Sequence, residues 1–204
     1  AFRWGARLPV GTYRIRLGAL SGEAAANYVL DHDGSSADLL YVEPLPLTNY
    51  TPHLTAVYGD ELIFDAPGYE GLQIRVEVRL VDGTPVPKPG VGPGHVYVIT
   101  ELLGPEKDNF TLPASPSLGT LEILKRTVTV TIPDFQRTYG DPVSVGDTLH
   151  NAAYGETSLA GIWFKVVQLD TTLGERTPVG SYTIMVGGHG DPNYELDLEG
   201  STWG

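Results

Sequence analysis

The chain has 204 residues, long for one small domain and natural for two or three of roughly 80–100. It is 41% hydrophobic, enough to bury a core, and it has no cysteine, which excludes disulfides, thiolate metal sites and a cysteine nucleophile. A net charge of −12 with only 13 scattered basic residues argues against nucleic acid and anionic membranes as partners, and no apolar run approaches the ~18 residues of a membrane span.

The 25 glycines and 16 prolines suit many short strands joined by turns. In chain order, the first predicted strand is "TYRIRL" (12–17). "SGEAAANYVL" (21–30) has helix-like composition, but its counterparts further along are not helical, so it reads as a loop. "DLLYVEP" (38–44) reads as a closing strand, followed by the linker "EPLPL" (43–47). "LQIRVEVRL" (72–80) alternates with period two and places Leu72, Ile74, Val76, Val78 and Leu80 on one face. After the Gly-Pro stretch 81–94 come the strands "HVYVIT" (95–100), "GTLEILKR" (119–126) and "TVTVTI" (127–132). "IWFKVVQL" (162–169) and "SYTIMV" (181–186) follow, and "GGHGDPN" (187–193) is a tight turn. An all-β protein is predicted.

The same features return in the same order. Tyr58-Gly59-Asp60 recurs 81 residues later as Tyr139-Gly140-Asp141. "PVGTYRI" (9–15) matches "PVGSYTI" (178–184), with "GPGHVYVI" (92–99) a looser copy. The asparagines of "NYVL" (27–30), "NFTL" (109–112) and "NYEL" (193–196) lie 82 and 84 apart. The period is about 82 residues, so three segments are expected: 1–47, the C-terminal half of a unit; 48–126, a complete unit; and 127–204, a unit lacking its closing strand. Their basic and acidic residues number 4 and 5, 6 and 10, and 3 and 10, giving net charges of −1, −4 and −7. The surface charge drifts while the apolar pattern stays, as in scaffold repeats.

A strand ending in Tyr-Gly-Asp, then Gly-x-Tyr, then Asn-Tyr before a closing strand resembles the MBG domain, the mostly bacterial Ig-like repeat of large bacterial surface and secreted proteins. Here the pattern is carried by the two Tyr-Gly-Asp triplets, Gly11-Thr12-Tyr13, Gly180-Ser181-Tyr182, Asn27-Tyr28 and Asn193-Tyr194. The middle unit departs from it with Gly94-His95-Val96 and Asn109-Phe110, and the stretch 81–94 is unusually rich in proline. The resemblance implies tandem Ig-like β-sandwich modules in an extracellular or cell-surface stalk or adhesin, without catalysis or a cofactor.

Candidate chemistry is weighed against structural roles. Tyr-Gly-Asp reads as a turn: glycine permits positive φ, aspartate can bond backbone amides just beyond it, and tyrosine can bury its ring. Asp31, Asp33, Ser35 and Asp38 offer calcium-type oxygens, but Gly34 and Glu43 sit at the wrong steps for a calcium loop, so an acidic turn is expected. His32, His53, His95, His150 and His189 have no metal-ligand spacing. Asp65, Glu70 and Glu101 could pair as glycosidase carboxylates, as in any acidic β-protein. "NYT" (49–51) and "NFT" (109–111) are chance glycosylation matches. Trp4, Trp163 and Trp203 are candidates for sugar stacking if exposed, with Trp163, inside "GIWFKVV", expected rather in the core. No catalytic, cofactor or metal residue is assigned.

The expected function is a non-catalytic structural or adhesive segment, a rod or filament of Ig-like modules. Its expected partners are neighbouring repeats or identical subunits, with surface glycans or proteins as ligands. The alternative is a carbohydrate-binding module array of a secreted enzyme. The chain begins in mid-unit and ends before a closing strand, which suggests an excerpt of a longer repeat protein. A sharper expectation is that one subunit's first half-unit completes a neighbour's last unit by strand exchange.

Overall fold

A computed structural model describes residues 8–15, 18–31 and 38–201. Their regular structure is β-strands and three short 3-10 turns. In chain order the strands are β1 (Gly11–Ile15), β2 (Asp38–Val42), β3 (Leu45–Pro46), β4 (Leu54–Val57), β5 (Ile63–Asp65), β6 (Gln73–Arg79), β7 (Gly92–Leu103) and β8 (Phe110–Thr111). They continue with β9 (Gly119–Leu124), β10 (Arg126–Thr131), β11 (Thr148–His150), β12 (Trp163–Val166), β13 (Thr171–Thr172), β14 (Ile184–Gly188) and β15 (Tyr194–Leu196). The fold is all-β, as the alternating runs predict. No described helix is long and apolar enough to cross a membrane.

The chain divides into two compact units that interleave along the sequence. The first gathers the described residues of Ala1–Tyr50 with Phe64–Arg75 and Ile99–Ser117. Within it β1 and β2 form an antiparallel ribbon, Gly11 opposite Val42, and β3 pairs in parallel with β8, Leu45 opposite Phe110. Tyr50, Tyr69 and Phe110 stack edge-to-face in succession, with centroids 5.3 and 5.1 Å apart. Burial, then the neighbouring Tyr69, pushes the Tyr50 phenol up to about 12.

The second unit comprises Thr51–Ile63, Val76–Val98 and Leu118–Gly204. In it β9 is the inner strand of a ladder, parallel to β4 and antiparallel to β7. Leu121 and Ile123 of β9 are buried opposite Leu54 and Ala56 of β4. β10 is parallel to β15, with Arg126 opposite Tyr194, and antiparallel to β11. β12 lies between β13 and β14. Val130, Ile132, Phe164, Val166, Ile184 and Val186 form a core cluster on which Phe135 and Tyr182 pack.

Several expectations are corrected. The inward face of β6 ends at Val78: Leu80 is 55% exposed, because the strand stops at Arg79 and Leu80 enters a turn closed by Gly83 N–H to Leu80 C=O. The run 162–169 is a strand only to Val166; Val167–Leu169 form a 3-10 turn capped by Asp170 at φ 53°. Trp163 is 42% exposed rather than core. The β12–β14 register slips between Trp163 and Phe164, so Trp163 leaves the alternation and its ring covers Gly187, where a Cβ would overlap it. Within 181–186, the ladder begins only at Ile184. The loop 21–30 is a loop with one 3-10 turn, Ala25–Asn27.

Candidate functional site

Tyr58-Gly59-Asp60 and Tyr139-Gly140-Asp141 make the same turn. Asp60 N–H bonds Val57 C=O at 3.0 Å, and Asp141 N–H bonds Thr138 C=O at 3.2 Å. Gly59 has φ 81° and Gly140 φ 91°, the positive values that the third place of a type II turn demands. The turn role predicted for glycine holds in both copies. The predicted burial of tyrosine holds only in the first: Tyr58 is 5% exposed and Tyr139 59%.

The difference lies in what covers the turn. Around Tyr58 the second unit gathers Tyr154, Glu156, Tyr194 and Arg126. The Tyr58 ring meets Tyr154 and Tyr194 edge-to-face at 5.3 and 5.4 Å. Glu156 accepts from both hydroxyls: Tyr58 Oη reaches Oε1 at 3.4 Å, and Tyr194 Oη donates to Oε2. Tyr194 Oη itself accepts from Ala153 N–H at 3.0 Å. Lys88 Nζ stands 4.7 Å over the Tyr154 ring. Arg126, at the start of β10, donates from Nε to Tyr58 C=O at 2.6 Å and from Nη1 to Asn151 Oδ1 at 3.3 Å. Its Nη2 pairs with Asp60. The partner of the Asp60 carboxylate is thus a side chain, where the sequence suggested a backbone amide. A Cβ on Gly59 would overlap that of Ala153, so this glycine is required by packing as well as by φ.

The electrostatics favour inert phenols. Burial first, then the Glu156 charge, raises the pKa of Tyr58 and of Tyr154. Burial, then the hydrogen bond to Glu156, raises Tyr194. Each stays a neutral donor at physiological pH, suited to bonding a carboxylate and unsuited to attack as a phenolate.

Asn193 completes the site. Its Oδ1 accepts from Val91 N–H at 3.0 Å, and its C=O accepts from Arg126 N–H at 3.1 Å. The first unit contains the same device: Asn109 Oδ1 accepts from Val10 N–H at 2.7 Å, beside the parallel β3–β8 pair. Asn109 Nδ2 donates to Glu106, so the "NFT" nitrogen is already engaged.

No protein-family model, curated protein or solved structure matches this chain.

The other candidates are dispersed. Asp65 accepts from Gln73 and Glu101 from Arg75, each at 2.9 Å, while Glu70 borders a separate groove with Tyr69 and Phe110. His53 bonds Thr120, His95 bonds Gly90 C=O, His150 bonds Thr131 and His189 accepts from Asp191 N–H. Among the described residues no three His, Asp or Glu side chains converge as metal ligands. Asp38 accepts from Leu39 N–H; Asp33, Ser35, His32, Trp4 and Trp203 lie outside the described residues. Sequence reasoning placed Tyr58, Asp60, Asn193 and Tyr194 at repeat stations but missed Glu156, Tyr154 and Arg126. For Tyr154 a signal existed: "APGYEG" (66–71) and "AAYGE" (152–156) both put an Ala and a Tyr before Glu.

Proposed function

We propose that this chain is a non-catalytic structural or adhesive segment of a bacterial extracellular protein, a rod or filament of tandem Ig-like modules of the mostly bacterial class. One observation carries the reading. The Asn-aromatic station is built twice in the same way: Asn109 on Val10 beside the parallel β3–β8 pair, and Asn193 on Val91 beside the parallel β10–β15 pair. Val10 and Val91 are 81 residues apart, and Leu45 and Arg126, which open the two parallel pairs, are also 81 apart. A contact that recurs with the sequence period serves the joining of modules. A reaction centre would need one site, differentiated from its copies. The best-built cluster here holds neutral phenols around a bonded carboxylate, which is packing chemistry.

A carbohydrate-binding array is the second reading. The exposed Trp163 ring, laid flat on Gly187 and Gly188, is the feature that favours it. A glycan array with the wild-type chain and Trp163→Ala separates the two. The structural reading expects no glycan whose binding depends on Trp163. Binding abolished by Trp163→Ala at unchanged stability would transfer the function to sugar recognition.

A further inference from the structure

Four described residues other than glycine have positive φ: Asn49, Asn151, Asp170 and Tyr154. Asn and Asp visit this region readily, because their short side chains bond the local backbone; a bulky tyrosine does not. Tyr154 is therefore the described residue whose backbone conformation its own side chain most opposes.

The conformation belongs to a turn. Glu156 N–H bonds Ala153 C=O at 3.0 Å, and the two residues between them, Tyr154 and Gly155, have φ 53° and 73°. Positive φ at both central places is the pattern of a type I′ turn, which selects Gly, Asn or Asp. The chain holds a second Ala-x-Gly turn without this strain. Tyr69 N–H bonds Ala66 C=O at 3.0 Å, Gly68 has φ 86°, and proline at 67 fixes the first central residue at negative φ. That is the type II pattern. The two turn types differ at the first central residue alone. Both keep the glycine at positive φ and the closing hydrogen bond. Among the described residues the Tyr154 N–H and C=O make no backbone hydrogen bond, so a change from type I′ to type II at 153–156 breaks none.

What holds Tyr154 in the strained form is its ring. The ring meets Tyr58 edge-to-face at 5.3 Å and lies 4.7 Å below Lys88 Nζ. Tyr154 is 38% exposed, and Tyr58 beneath it only 5%. Turning Tyr154 to negative φ re-aims its Cβ and takes the ring off both partners. Backbone strain and the two ring contacts oppose each other and are similar in size. We infer that Tyr154 is a two-state lid on Tyr58: closed on a strained type I′ turn, and open on a relaxed type II turn that uncovers the Tyr58 ring. The hinge is Tyr154 itself. Glu156 N–H stays on Ala153 C=O in both states, and Arg126 stays on Tyr58 C=O and Asp60. The lid goes beyond the modular reading and does not depend on it.

Nuclear magnetic resonance relaxation dispersion on the full chain tests this, because lid motions fall in the microsecond-to-millisecond range. Tyr154→Pro fixes the open form, as proline at 67 does in the other turn. Circular dichroism verifies the fold of each variant. The expected result is exchange at the Gly59, Ala153 and Gly155 amides with one shared rate and population. The minor-state shift of Gly59 should match its shift in Tyr154→Pro. Lys88→Ala, which removes one hold on the closed ring, should raise the open population about threefold, and Lys88→Arg should restore it. Flat dispersion at the three amides overturns the inference and leaves a single strained turn. So does a minor state unlike Tyr154→Pro, or a population that Lys88→Ala does not move. Should Tyr154→Pro fail to fold, the wild-type exchange and its response to Lys88→Ala decide the matter alone. None of these results depends on assembly or on a bound sugar, so the lid and the modular reading can fail separately.

Discussion

Gly59 and Gly140 occupy the same turn with the same sign of φ, yet they are not equally replaceable. At Gly140 a Cβ meets nothing within 4 Å, so alanine incurs only the left-handed backbone cost, about 1–2 kcal/mol. At Gly59 it must also displace Ala153, which adds about 1–3 kcal/mol of overpacking. Urea denaturation of Gly59→Ala and Gly140→Ala should therefore give a clearly larger loss for the first, and equal losses would show that Ala153 moves aside freely. The turn was legible in the sequence because positive φ is a local demand that glycine advertises. The fate of its neighbours was not, because the burial of Tyr58 depends on Tyr154, Glu156 and Tyr194, which lie 96, 98 and 136 residues away, and no local pattern says that they meet it. Trp163 shows the same limit in reverse: its alternation reads as core, and one register slip turns it out.

At the scale of elements, β9 orders strands on both sides, pairing with β4 and β7 and burying Leu121 and Ile123. Leu121→Ala should cost about 2–5 kcal/mol, as large-to-small changes in a packed core do. Amide hydrogen exchange should accelerate at Ala56 and Val96 ahead of β10, whose partners are β11 and β15. Protection unchanged at those two amides would mean that β4 and β7 hold their strands without β9. Period-two alternation made β6, β9 and β10 legible from sequence alone. It overextended the strands at 162–169 and 181–186. Alternation describes which faces a segment could present, and a ladder also needs a partner strand at the right place.

For the whole molecule, alkaline pH is the weak side. Tyr50 has its pKa raised from 10 to about 12, and Tyr58, Tyr154 and Tyr194 are raised as well. A raised folded pKa means that the folded state keeps a proton the unfolded chain has released. The Tyr50 contribution is therefore complete below pH ~10 and is lost as pH climbs through about 12, and those of Tyr58, Tyr154 and Tyr194 are lost on the same alkaline side. The net charge of −12 adds repulsion in the same direction. Melting temperature should be flat through neutral pH and fall steeply above pH ~10, in step with phenolate absorbance. Tyr58→Phe should lower the neutral-pH melting temperature while making this alkaline fall shallower.

The three rings of Tyr58, Tyr154 and Tyr194, crossing edge-to-face within 5.4 Å, have one further consequence. Chromophores held so close in a fixed chiral arrangement couple optically and produce near-ultraviolet circular dichroism, which vanishes once packing loosens. Trp163 belongs to a different element and absorbs at longer wavelength. Tyr50 and Tyr69 form a second such pair, so the part of the signal lost in Tyr58→Phe is the label-free reporter of the place where Asn193 meets Val91.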